Sequence, residues 1–485
     1  MDDMQKTLTA MKINCKHILL SVGLMAAAGT MTAQELNSAY FTQDFKFRHD
    51  LNPAFGNDQG YVTILPGLSQ LNVKTQGNFG VRDVLFKNPA TGKYDRTFLH
   101  PDVPTAEALE GFADGKNRLA ADVRIALLSA GFKGFGGYNT IELNMRGSAG
   151  LYLPGNLIRF AKNMINDVYH FDFGARAMAF GEIALGHSRQ IDDNLRMGAK
   201  LKALLGVARA DLQVKGMEAR FTGNEWLLTS GEAQAEVNMK GIKFVDDTED
   251  TYKNGTRNEH VDLGETDIDG AGVSGFGLGL DLGAEYRVEG VEGLRLSAAL
   301  TDLGFINWKN SNVLKQKKGT FVFDGFHDVA VNDDDAAPGT TMEEQSDSYA
   351  DQFSDFINMK NEGDKGSKTT MLAATMNIGA EYQLPMYKRL SFGLLGQHHF
   401  AGEYSWTEGR LSANWMPLKW LDGGVSLAVN NFCVSAGWVL NIHPKGFNFF
   451  VGMDHIQGKQ TKDGVPLSSN SSLVIGMNIA WGGGK

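Results

Sequence analysis

The chain has 485 residues, among them 58 glycines and only 11 prolines, and its 46 basic and 56 acidic side chains give a formal net charge of −10. That balance excludes a nucleic-acid partner recognised by charge, and two cysteines exclude a disulfide framework. Glycine well above the roughly 7% of ordinary soluble proteins suits long strands joined by tight turns, in one large closed sheet or in two or three domains.

Residues 1–33 read as a signal peptide, with Met11 as the expected start after a leader of residues 1–10. Lys12 and Lys16 precede an apolar run from Ile18 to Met31, and Ala33 offers a cleavage point. The run is shorter than the roughly 20 residues a spanning helix needs. Cleavage there leaves Cys433 as the only thiol. Residues 34–60 then carry aromatics, Arg48, His49, Asp50 and the turn-forming Asn52-Pro53 without a strand pattern. This segment is expected to be a plug inside a barrel or, alternatively, a periplasmic tail.

From residue 61 to 485 the dominant pattern is alternation. In TMLAATMNIGAEYQLP, Leu372, Ala374, Met376, Ile378, Ala380, Tyr382 and Leu384 share one face, while Thr375, Asn377, Glu381 and Gln383 share the other. In chain order the same two-faced pattern marks strands at 69–86, 119–134, 137–153, 171–189, 195–214, 274–288, 293–309, 370–385, 389–403, 405–416, 419–430, 432–443, 446–457 and 470–482. The stretch 216–240 belongs either to the wall or to an external hairpin. A soluble sandwich alternates too, but in strands of about five or six residues. Runs of about 11 or more match the length needed to cross lipid, where only a closed sheet satisfies every backbone group. The predicted fold is therefore all-β: a single transmembrane up-and-down antiparallel β-barrel of about 14 strands in the cell outer membrane, with short helices in its external loops and an N-terminal plug-like segment.

The connections alternate accordingly. FGG, QIDDN, VEGVEG, PMYKR, PLK and HPK are short and fall at one end, while the long stretches fall at the other. Two of these, the external loops 215–273 and 310–369, are acidic: nine acids face two bases between Asp246 and Asp269, and ten acids face none between Asp324 and Asp355. They read as solvated charge runs, with divalent cations bridging lipopolysaccharide as the functional alternative. PTAEALEGFADG and PGNLIRFAKNMINDV are expected helices, the second with Leu157, Ile158, Phe160, Ala161, Met164, Ile165 and Val168 on one face.

Fourteen strands enclose more space than wall side chains alone can fill. The inward faces nearly balance acids against bases, which suits cross-strand ion pairs and not a charge-selective pore. Candidate lumen and plug residues are Arg48, His49, Asp50, Asn52, Glu142, Arg146, Arg176, Glu182 and Asp302. The last is singled out because the apolar register shifts near Thr301-Asp302, a bulge signature that turns Asp302 inward. There is no GxSxG, HExxH or paired CxxC, so no catalytic residue, cofactor or metal ligand is assigned and no enzymatic activity is expected.

HDLNPAFG near the mature N-terminus, LSAALTDLGFINWKN at 296–310 and the strand layout resemble a family of uncharacterised outer-membrane barrels from Bacteroidota. That family is loosely similar to long-chain fatty-acid transporter-like barrels and to barrels of the type IX secretion and gliding machinery. The resemblance implies either passage of a small apolar or amphiphilic ligand, or a structural barrel holding a periplasmic or surface protein partner. Outer-membrane lipid, lipopolysaccharide and the barrel-insertion machinery are the partners any such protein meets.

Overall fold

The computed structural model describes residues 36–163, 167–222, 225–249, 258–270, 272–316, 318–327, 341–456 and 470–482. The expected signal peptide lies outside them. Fourteen antiparallel wall strands close on themselves. They are β1 (Gly60–Thr63 and Gln70–Gly77), β2 (Lys116–Gly134), β3 (Gly137–Pro154), β4 (Val168–Gln190), β5 (Leu195–Phe221), β6 (Gly275–Arg287) and β7 (Leu294–Trp308). The second half comprises β8 (Ala374–Gln383), β9 (Leu390–Phe400), β10 (Trp406–Leu418), β11 (Leu421–Asn430), β12 (Val434–Ile442), β13 (Asn448–Met453) and β14 (Ser471–Trp481). Each pairs with the next, and β1 closes the ring by pairing with both β14 and β2, as Gly60 with Trp481 and Gln70 with Ala126 show.

Alternation sorts the two faces as the pleat dictates. Leu201, Leu278, Ile378, Leu394, Leu411, Val425 and Leu427 are exposed on the outside, whereas Glu142, Asn144, Glu182, Lys200, Asn377, Arg410 and Asn441 are buried inside. Two stacked sheets would bury the first set against itself, so the sandwich is excluded.

The first strand differs from expectation. It begins at Gly60 and ends at Gly77, not over 69–86. Pro66 has no N–H to give the ladder, and the intervening Ile64, Leu65 and Leu68 are exposed. Val168, expected on a helix face, opens β4 instead, pairing with Arg220. The helices run from Thr105–Glu110 and Gly155–Asn163; Met164 and Ile165 lie outside the described residues.

The stretch 216–240 proves to be part of an upper tier. β5 pairs with β6 as far as Gly206, and from Ala208 to Lys215 its neighbour is the strand Glu232–Met239. That strand pairs in turn with Ser311–Gln316, which pairs with Met359–Asp364. The wall thus continues beyond the roughly 9–11 residues that lipid requires. A longer helix, Met342–Ile357, lies in the same region of sequence.

Candidate functional site

Residues 36–57 are buried almost throughout, and their partners are the inward side chains of the wall. The segment is short of regular structure: a single 3-10 turn at Asn37–Ala39 and one helical turn at Arg48–Leu51. Its backbone groups must therefore find partners elsewhere. Asp454 accepts hydrogen bonds from the Asn37 N–H at 2.9 Å and the Ser38 N–H at 2.6 Å. Arg410 secures the same corner, donating to Ser38 Oγ at 3.0 Å and to Glu408 at 2.7 Å.

Between the anchor and the tip the contact is apolar. Phe45 meets Phe450 edge to face with ring centres 4.9 Å apart, and Phe47 packs on Phe450 and Tyr61 at 5.5 and 5.4 Å. Leu36, Ala39, Val439 and Val474 complete the cluster. These apolar groups lie among polar inward side chains, and two further buried apolar clusters, around Leu395 and around Trp308, face the same bore.

The tip is held by charge. Arg124 donates to Asp50 at 2.9 Å and to Glu142 at 2.6 Å, and Lys200 bridges the same two carboxylates at 2.6 and 2.9 Å. His49 joins through its Nε2, 2.9 Å from the Tyr61 hydroxyl, which in turn lies 2.8 Å from Ser129 Oγ. The wall alone presents two bases and one acid here, a socket of net charge +1 that Asp50 neutralises. His49, Asp50 and Glu142 lie close enough to share a metal ion, but Arg124 and Lys200 already supply the countercharge.

Beyond the tip, Asn52 donates to the carbonyls of Ala284 and Ala298 at 3.2 and 3.3 Å and accepts from the Ala54 N–H at 2.9 Å. Wall glycines make room for this turn: a Cβ at Gly198 would strike the Pro53 carbonyl, and one at Gly283 would strike Asn52 Oδ1. The HDLNPAFG sequence is thus the docking tip of the plug.

The network continues along the wall. Asn144 links Glu142 to Glu182 at 3.1 and 3.0 Å, and Arg146 bonds Glu182 at 2.9 Å and Asp302 at 2.7 Å. Lys202 closes the chain, 2.6 Å from Asp302 and 2.7 Å from Asp281. Asp302 reaches this position because its φ of 59° and a slip in register between Leu280 and Leu282 form the bulge expected there.

Of the residues singled out from sequence, His49, Asp50, Glu142, Arg146, Glu182 and Asp302 meet in one continuous network. Asn52 docks beside it. Arg48 folds back on the plug, donating to the Tyr40 carbonyl at 3.0 Å with its guanidinium 4.2 Å over the Phe55 ring. Arg176 stands apart, 4.2 Å over the ring of Tyr404. Arg124, Lys200, Lys202 and Asp281 were legible only as inward-facing charges. The anchor Ser38 and the ring of Phe47 carried no periodic signal at all.

A closed antiparallel barrel of even strand number, apolar outside, polar within, with short turns at one end and long excursions at the other, is an outer-membrane barrel; in this one a stretch of its own chain fills the bore. The chain belongs to the family described as "Family of unknown function (DUF5723)", whose model matches residues 53–454. No curated protein matches it. Among solved structures it is similar to the TodX deltaS2S3 mutant monoaromatic hydrocarbon channel, at 10% identity over 94% of this chain and 96% of that one, with a TM-score of 0.39. It is also similar to the Pseudomonas putida toluene transporter TodX, at 9% identity over 93% and 94% with a TM-score of 0.36. A Pseudomonas aeruginosa FadL homologue is similar at 9% identity over 93% and 99%, with a TM-score of 0.35.

Proposed function

We propose that this barrel passes small apolar or amphiphilic molecules across the outer membrane, with the N-terminal segment as a movable stopper. The observation that carries this reading is the pair of surfaces the stopper covers. Arg124 and Lys200 form a cationic socket, and Phe450, Val439 and Val474 form an apolar patch. Tyr61 joins the two, its hydroxyl facing His49 and its ring facing Phe47. Withdrawing the stopper uncovers adjoining charged and greasy areas, which suit a molecule with an anionic head and an apolar body. A neutral apolar molecule uses the patch alone. The stopper is attached to the wall by side-chain contacts, so it can leave without breaking a strand.

Ser38 on the stopper and Ser426 on β11 place their hydroxyl oxygens 3.0 Å apart. The variant S38C/S426C, made with Cys433→Ser, locks the stopper to the wall. In proteoliposomes, a fluorescent medium-chain carboxylate is expected to enter through the unlocked protein, to be stopped by oxidation of the lock and to return on reduction. Passage indifferent to the lock, or none in the unlocked protein, overturns the proposal. A stoichiometric protein partner copurifying from outer membranes would favour the structural alternative.

A further inference from the structure

We propose that Asp44, Asp422 and His443 form a divalent transition-metal site that clasps the N-terminal segment to the rim of the barrel. The three come from separate places: Asp44 from the stopper between Phe41 and Phe45, Asp422 from the start of β11, and His443 from the residue after β12. Both wall residues adjoin short turns, at the periplasmic end of an outer-membrane barrel. One donor atom from each lies within 4.8 Å of the others.

The imidazole of His443 is the observation that points to a ligand. Its side chain is 2% exposed, and its Nε2 lies 3.3 Å from Asp422 Oδ1 and 3.9 Å from Asp44 Oδ2. Despite this closeness, Nε2 makes no hydrogen bond. A buried ring nitrogen that makes no hydrogen bond is costly. It faces two carboxylates that repel each other, and among the described residues neither forms an ion pair with a lysine or arginine. Lys46, two positions along the stopper, bonds Asn57 and Gln59 at 3.0 and 2.6 Å and attracts the two carboxylates only at longer range. This is the reverse of the Asp50 socket, where the protein supplies its own cations.

The surroundings fit an ion. Asn441 donates to Asp422 Oδ1 at 2.6 Å and is itself held by Asn448 at 2.7 Å, the kind of outer support that orients a ligating carboxylate. Asp44 is 28% exposed, which leaves an entry path and a position for water. One imidazole and two carboxylates suit Zn²⁺ better than Ca²⁺ or Mg²⁺, which take six or more ligands, mostly oxygen. A tetrahedral ion about 2.0–2.2 Å from each donor spaces the donors roughly 3.3 Å apart. His443 and Asp422 already stand at that separation, and Asp44, on the stopper, closes the rest. The ion thereby joins stopper to wall, whatever the barrel carries.

The test uses the full chain without a histidine tag, stripped with EDTA in detergent and titrated with Zn²⁺ by calorimetry. One equivalent is expected per chain, with affinity at least tenfold weaker in H443A and in D44N. Co²⁺ in place of Zn²⁺ should give the visible absorption of a low-coordinate site. Zn²⁺ should also slow trypsin cleavage after Lys46 or Arg48 in the wild type but not in D44N. Absence of stoichiometric Zn²⁺ in the wild type, or wild-type affinity in either variant, overturns the proposal. Should H443A fail to fold, D44N decides alone, because Asp44 lies outside every wall strand.

Discussion

Arg146 and Asp302, separated by 156 positions in the chain, meet in a two-pronged ion pair, Nη1 to Oδ1 at 2.7 Å and Nη2 to Oδ2 at 2.8 Å. The pairing is possible because the bulge in β7 turns Asp302 inward, against the alternation of its neighbours. Removing one partner of a buried pair strands the other. Around Arg146 the local charges are Glu182, Asp302 and Asp281 against Arg146 and Lys202. Arg146→Met leaves three carboxylates to one lysine and is expected to cost about 3–5 kcal/mol. Asp302→Asn leaves Arg146 with Glu182 and Lys202 with Asp281, so its cost should be smaller. Urea midpoints of tryptophan fluorescence in detergent would show whether the order holds.

Asp50→Asn removes the stopper's charge from a socket that is +1 without it. The barrel should remain heat-modifiable on gels, while trypsin reaches Lys46 and Arg48 about tenfold faster. In planar bilayers the variant should conduct and prefer anions, because Arg124 and Lys200 then outweigh Glu142. Cation preference would contradict this account of the socket.

Gly198→Ala and Gly283→Ala test the docking of the tip. Both positions lie in strands at ordinary backbone angles, so the wall tolerates alanine, but the added carbon occupies space now held by Pro53 and Asn52. Each change is expected to raise conductance and stopper cleavage without lowering the unfolding midpoint of the wall. Equal protection in variant and wild type would show that the turn does not press on these glycines.

Leu427 is 61% exposed in the middle of β11 and belongs to the lipid-facing belt. Leu427→Lys should destabilise the barrel in bilayers by roughly 2–4 kcal/mol, the range for a basic residue at midplane, whereas Leu427→Met should leave it nearly unchanged. Ser426, its neighbour in sequence, points the other way and bonds Arg410 at 2.8 Å. Ser426→Ala should therefore loosen the stopper and leave lipid insertion unaltered, which trypsin cleavage and folding yield would separate.

The wall was legible because its determinant is local. Leu411, Ala413 and Trp415 against Arg410, Ser412 and Asn414 is a pattern of period two, written out residue by residue, and strand geometry converts it directly into an outside and an inside. The bulge at Asp302 was legible for the same reason, as a break in that period. The end of β1 was not: residues 78–86 continue an apolar pattern, yet the chain leaves the wall at Gly77. There the closing contacts with β2 and β14 decide which residues pair.

By itself the sequence determined the barrel, its lipid-facing side and the short and long ends, since all three follow from alternation, length and the need to pair every backbone group in lipid. It also indicated many of the inward charges, Arg124, Glu142, Lys200 and Arg410 among them. Only the tertiary structure decided which of those charges meet: that Asp50 completes the Arg124 and Lys200 socket, that Phe47 lies on Phe450, and that Asp44 comes to His443. Those contacts join positions from 74 to about 400 residues apart through an irregular segment with no period to read. They exist because a closed ring of strands brings its inward faces around one bore, and the stopper's side chains find their partners there.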